Sequence, residues 1–191
     1  QRVPGRSHQL SLDNVLAIPG AAHTLWNLSQ AIFLAHWGNE KHARDTGAWR
    51  SLHALGIPAQ KPVTKKDYNL MLSHIEKIHE ATLIIVYCES KYMIIQPGGL
   101  IVHVSSASSV LEKKREDIGH ELVKMSSKSI EELVDKTYAR FASGNARRSE
   151  VANKSVTHMN MLLRIRDFAS IIEANRAMKA GDPGRLIYMW R

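Results

Sequence analysis

The chain has one cysteine among its 191 residues. That excludes a disulfide framework and any zinc site built on several thiolates, and it fits a reducing, intracellular compartment. Glycine and proline, at 11 and 6, are too few for a collagen-like or low-complexity chain. Long apolar runs are missing as well. The longest, Ala81 to Cys88, falls far short of the roughly 20 residues that a membrane span needs. Residues 1–13 are largely polar and hold no apolar signal-peptide segment. Acidic side chains are in deficit, with 18 Asp and Glu against 26 Lys and Arg, a net charge of +8 and a pI near 9.7. Such an excess points to nucleic acid or another polyanion as a partner and says nothing about fold. Aromatic residues are only 6%, and they do not interleave with basic ones in the way of single-strand binders that stack bases. What remains is 44% apolar and 23% charged residues. These are the proportions of an ordinary globular domain, and the length suits one.

Catalytic signatures are equally scarce. Neither G-x-x-x-x-G-K-[ST] nor G-x-G-x-x-G occurs, so nucleotide binding is not indicated. There is no H-E-x-x-H, no C-x-x-C and no pair of histidines at i, i+4. His74 and His79 are five apart, which turns them about 140° from each other on a helix. No triad or paired-carboxylate pattern marks a small-molecule enzyme. Cys88 ends an apolar helical stripe and reads as a buried, inert thiol.

The hydrophobic periods predict a mainly α-helical domain with one to three short strands. Residues 14–18 (NVLAI), closed by Pro19-Gly20, read as a strand and turn. Leu25, Leu28, Ile32 and Ala35 define a helix that Gly38 stops. A second helix runs from about Thr46 to Leu55, with Trp49, Leu52 and Leu55 inward, and leaves through Gly56-Ile57-Pro58. Thr64 and Asp67 form a capping-box pattern ahead of the longest clear period, Tyr68, Met71, Leu72, Ile75, Ile78, Thr82, Ile85 and Val86. Residues 100–104 (LIVHV) are a possible short strand. A charge-rich helix is expected over residues 110–125. A further one is capped by Ser129 with Glu132 and buries Ile130, Leu133, Val134, Tyr138 and Phe141, stopping at Gly144-Asn145. A last long helix starts near Ser149 on Val151, His158, Leu162, Ile165, Ala169 and Ile172. Gly181 ends it, and Asp182-Pro183 opens another. The whole of 1–191 reads as one domain: a strand at 14–18, a helical body over 22–180 and the start of a further helix at 182–191. Gln1 is not a methionine and Arg191 falls within a starting helix, so the chain is expected to be a piece of a longer protein.

The cations gather as Lys61, Lys65 and Lys66; Lys113 to Arg115; Arg147 and Arg148; and Arg164 and Arg166. Lys113 to Arg115 are neutralised by Glu112, Glu116 and Asp117. Arg147-Arg148, in a Gly-Asn loop, is the better phosphate contact, and salt-sensitive binding follows if the groups share a side. Arg185, in the first turn after Gly181, either serves a plain helix junction or joins free backbone N–H groups to hold an anion. Glu173 either pairs with Arg176 or Lys179 or acts as a metal-binding carboxylate.

Two stretches taken together resemble a known family. One is Ile18-Pro19-Gly20-Ala21-Ala22-His23 followed by an apolar helix into His36-Trp37-Gly38. The other runs from Leu163-Arg164-Ile165-Arg166-Asp167-Phe168 through Glu173-Ala174-Asn175-Arg176-Ala177-Met178-Lys179-Ala180 to Gly181-Asp182-Pro183-Gly184-Arg185. Both are similar to blocks of DUF6589, an uncharacterised fungal domain family that looks tied to mobile elements, and their order and separation fit it too. The resemblance implies a transposase-type protein with a ribonuclease-H-like core, in which two Asp and a final Glu or Asp hold two metal ions. On that analogy residues 14–18 are a late core strand, His23 lies near the site and Glu173 is the final carboxylate. The middle helices are then an insertion. The family's upstream "GDQ-x-T"-like block is not present, so the chain itself is expected to be catalytically silent. Mg2+ or Mn2+ would belong to the parent, a metal-dependent transposase or nuclease. The expected nucleic-acid contacts are Arg147, Arg148, Arg164, Arg166, Arg185, Lys65 and Lys66. The expected partners are DNA, bound without sequence preference, and a protein partner or the remainder of the parent chain. No membrane and no small-molecule cofactor are expected, and the location is intracellular, within it the nucleus. The rival reading is a non-catalytic helical interaction or scaffolding module whose charge only keeps it soluble.

Overall fold

A computed structural model describes residues 20–42, 45–61, 67–92 and 108–189, with side chains except those of 88–92 and 108–114. The described residues form nine helices and no strand. These are α1 (Ala21–Ala35), α2 (Ala48–Ala54), α3 (Tyr68–Tyr92), α4 (Ser108–Lys124), α5 (Ser127–Phe141), α6 (Gly144–Arg148), α7 (Glu150–Lys154), α8 (Val156–Lys179) and α9 (Pro183–Met189). The expected strands at 14–18 and 100–104, Thr64 of the expected capping box, Lys65, Lys66 and the side chain of Cys88 lie outside the described residues.

The two longest helices, α3 and α8, form the centre. Met71, Leu72, Ile75 and Ile78 of α3 cluster with Phe168, Ile171 and Ile172 of α8. Val86, further along α3, meets Leu162 and Ile165, earlier in α8. The pair is therefore antiparallel. α1 and α2 complete the first cluster with Phe33, Trp37, Ala48 and Leu52. Phe141, Ala146 and Ala152, from α5 to α7, complete the second. A third joins Leu25 of α1, Ala174 and Ala177 of α8 and Leu186 of α9. Each fully buried Phe, Leu or Ile side chain contributes about 1.5–3 kcal/mol. The β-branched stretch near residue 85 stays helical because the i, i+3, i+4 spacing of Ile75, Ile78, Thr82 and Val86 keeps one face in the core.

Serine sets the helix starts in the C-terminal third. Ser126, Ser143, Ser149 and Ser155 each accept the backbone N–H three residues on: Ser129, Ala146, Ala152 and His158. Each cap of this kind is worth about 1 kcal/mol. They correct three expectations. α5 starts one turn earlier than the Ser129–Glu132 box implied, because Ser126 is the residue with extended backbone. The helix expected from Ser149 is two, α7 and α8, divided at Ser155, whose backbone is also extended, and Gly144 opens α6 instead of stopping α5. A fourth correction concerns the apolar stripe of α5. Val134 and Tyr138 are exposed while Phe141 is buried, because the face turned to the core carries Ile130, Leu133 and Phe141.

Candidate functional site

The segment joining α1 to α2 is built around one carboxylate. Asp45 Oδ2 accepts the Gly47 N–H at 2.9 Å and the Trp49 indole N–H at 2.8 Å. The Ala48 N–H donates to His36 O at 2.7 Å and the Trp49 N–H to Trp37 O at 3.2 Å, which folds the segment back on itself. Gly38 lies in the left-handed region at φ 87°, and a Cβ there would run into the Asp45 carboxylate and come within 2.8 Å of the Gly47 Cα. Only glycine fits that crossing. The Trp37 indole donates to Glu40 at 3.0 Å, while its rings lie in the core against Phe33.

Two side chains of α8 hold this segment. His36 Nε2 lies 2.9 Å from Asp167 Oδ2, and the His36 ring meets Phe168 edge to face. Asp167 Oδ1 accepts from Arg166 Nε at 2.7 Å. Burial works to raise the Asp167 carboxyl, but the hydrogen bonds from His36 and Arg166 outweigh it and hold it below the ordinary carboxylate range. One turn earlier, Arg164 donates to Thr46 O at 2.7 Å and to Ser51 Oγ at 3.1 Å. Burial pulls its pKa down to about 10 against the pull of Asp45. Arg164, partly buried, thus ties α8 to Thr46 and to Ser51 of α2. His79 of α3 is partly buried near the same helix. Burial first, then Arg164 and Arg176, lower its pKa to about 4, so it is neutral at pH 7.

At the other end of α8, Arg185 of α9 grips Glu173 through Nε, at 2.9 Å from Oε1, and through a second guanidinium nitrogen on the same oxygen. The pair is half-exposed. Glu173 therefore has a guanidinium as partner, and it is Arg185 rather than Arg176 or Lys179. Asp182 Oδ1 caps the Arg185 N–H at 3.0 Å, and Gly181 is left-handed at φ 65°. Both are the junction chemistry expected of Gly181 to Arg185. His23 is exposed and meets Trp26 at 5.2 Å between ring centroids. The third core cluster joins α1, α8 and α9, so the elements carrying His23, Glu173 and Arg185 meet at one end of the molecule. Arg147 and Arg148 lie at the opposite end, on α6 rather than in a loop. Arg147 donates to Ala142 O at 2.9 Å, at the end of α5, and Arg148 to Asn145 Oδ1 at 2.9 Å.

The five described arginines expected to face nucleic acid thus all have partners within the chain, and they do not form a single cluster. The His36–Asp167 bridge and the Asp45 turn carry no sequence signal beyond the His36-Trp37-Gly38 string, because their partners lie more than a hundred positions away or on neighbouring turns. Among the described residues no three His, Cys, Asp or Glu side chains gather as metal ligands, and no helix is long and apolar enough to cross a membrane.

Fold and site together define a helical domain in which a few polar side chains clasp α1, α2 and α9 to α8. The chain belongs to the DUF6589 family, a family of unknown function whose model matches residues 1–191. Comparison with the curated proteins and with the solved structures returned no match.

Proposed function

We propose that this DUF6589 domain is a helical module that contacts nucleic acid within a larger, mobile-element-related protein. The observation that carries the reading is the segregation of charge. Residues 68–141, which hold α3 to α5, have 9 Lys and Arg against 10 Asp and Glu, whereas the rest of the chain has 17 against 8. The whole positive surplus therefore resides outside α3–α5. Phosphate attraction of this kind is sequence-independent and screened by salt. The finer form of the proposal is a ribonuclease-H-like core in the parent protein, to which Glu173 adds one carboxylate. In this chain Glu173 holds the Arg185 guanidinium, an arrangement that does not suit a cation, so no metal step is assigned to it. Mg2+ or Mn2+ and the remaining carboxylates come with the parent. An intracellular, nuclear location accompanies this reading.

The test is a fluorescence-anisotropy titration of labelled duplex DNA at several salt concentrations. The expected result is log affinity falling steeply and linearly with log salt. Absence of binding at about 50 mM salt by protein shown to be folded would sink the reading. A second reading, an interaction module, is favoured by one observation: Val134 and Tyr138, one turn apart on the outer face of α5, are 58% and 61% exposed. Capture of the parent's other segments by this face, lost in Tyr138→Glu, is its test.

A further inference from the structure

We infer that His23, Trp26 and Tyr68 form a stacking platform for an unpaired nucleobase, so that the domain takes single-stranded nucleic acid. The inference rests on the nucleic-acid reading above and specifies its substrate. In sequence the three residues lie 45 positions or less apart on two helices and look unrelated to any basic motif. In the structure they form one chain of rings. His23 and Trp26, a turn apart on α1, meet edge to face at 5.2 Å, and Trp26 meets Tyr68, the first residue of α3, at 5.7 Å and 44°. The chain runs outward. Tyr68 packs against the first core cluster, Trp26 is partly exposed and His23 is exposed. The core has aromatic anchors of its own in Phe33, Trp37 and Phe168, and neither His23 nor Trp26 is among the residues packed against it.

A ring at the surface accepts a base because every base has a π-face, and a duplex keeps its bases inside while a single strand offers them. The surroundings favour a polyanion over an apolar peptide. α1 carries no Asp or Glu, so no carboxylate on that helix repels a backbone phosphate, while Glu76 of α3 acts on the Tyr68 hydroxyl at the inner end of the platform. His23 and Trp26 lie in the first of the two segments, residues 1–67 and 142–191, that hold the chain's whole positive surplus, and Tyr68 directly follows it. At the same end, α8 and α9 carry Arg176, Lys179 and Arg185.

The experiment titrates the 191-residue chain against three labelled probes: a short oligothymidylate, an abasic strand of the same length, and a duplex. The expected order has oligothymidylate tighter than the abasic strand. Trp26→Ala weakens oligothymidylate binding by roughly 5- to 150-fold, the range for losing one base stack, and leaves the abasic strand unchanged. Trp26→Phe retains most of the affinity, and circular dichroism verifies that each variant is folded. Equal binding of the abasic strand and oligothymidylate, or an unchanged oligothymidylate affinity in folded Trp26→Ala, overturns the platform while leaving phosphate contact standing. Failure of all three probes to bind the folded chain overturns the nucleic-acid reading and the platform with it.

Discussion

His36 and Asp167, 131 positions apart in the chain, meet at 2.9 Å and tie the end of α1 to the middle of α8. The bridge is mostly buried, with side-chain exposures of 15% and 20%, so it escapes the screening that makes surface pairs nearly worthless.

Asp167→Ala is expected to cost about 1–3 kcal/mol, the range for removing the charged partner of a partly buried donor. Urea unfolding at pH 7 measures it. The pH dependence has a definite sign. The folded-state pKa of Asp167 is depressed, so its stabilisation is complete above the ordinary carboxyl value. It is lost as pH falls through the depressed one. Wild type and variant should therefore converge in strong acid. A gap that stays constant into that range would show that the carboxylate charge is not what matters.

Two left-handed glycines make an internal comparison. At Gly56, φ 71°, an added Cβ meets nothing within 4 Å, whereas at Gly38 it meets the Asp45 carboxylate and the Gly47 backbone. Gly56→Ala should lose only the conformational cost, about 1 kcal/mol. Gly38→Ala should lose that and the two hydrogen bonds to Asp45 as well, about 2–4 kcal/mol in all. Thermal unfolding of the two variants ranks them. Equal losses would mean that the Asp45 turn contributes nothing to stability.

Burial and two guanidinium groups lower the pKa of His79 from 6.5 to about 4. The unfolded imidazole therefore binds a proton over a range in which the folded one does not. Stability falls as pH drops from about 6.5 towards 4, with a limiting slope of about 1.4 kcal/mol per unit. Burial also lowers His74 and His158, and they add in the same direction. Denaturant titrations at pH 7 and pH 5 should show the loss, and His79→Gln should remove most of it. An unchanged slope in that variant would place the proton uptake elsewhere.

The helices were legible wherever a short-range rule decides them. Tyr68 to Val86 keep a helical period that the core requires, and Gly56 and Gly181 take positive φ directly after the C-caps of α2 and α8, whereas Gly38, also at positive φ, lies two residues past the C-cap of α1. Asp182 caps α9 as its place before Pro183 implied. Sequence and structure differ where one residue type offers several equivalent choices. Ser126 and Ser129 both look like caps, and the extended backbone at Ser126 decides between them. Val134 and Tyr138 share a helical period with Phe141, but it is the placement of α3 against α5 that selects the buried face. The polar clasps of α8 were out of reach for a different reason. His36 with Asp167, and Arg164 with Thr46 and Ser51, join residues whose proximity exists only after α1, α2 and α8 have packed.

The family resemblance pointed to Glu173, and the structure supplies its partner, Arg185. Because this pair is half-exposed, substitutions there test function without unfolding the domain. Arg185→Ala leaves the Glu173 carboxylate without its guanidinium and should lower duplex affinity evenly across sequences. Glu173→Gln removes the carboxylate that occupies the guanidinium, so Arg185 becomes available and affinity should rise. Opposite signs for two neighbouring substitutions cannot come from a shared loss of structure. If both variants bind duplex DNA as the wild type does, the α8–α9 junction is a structural clasp alone and the binding they share comes from other cations of the chain.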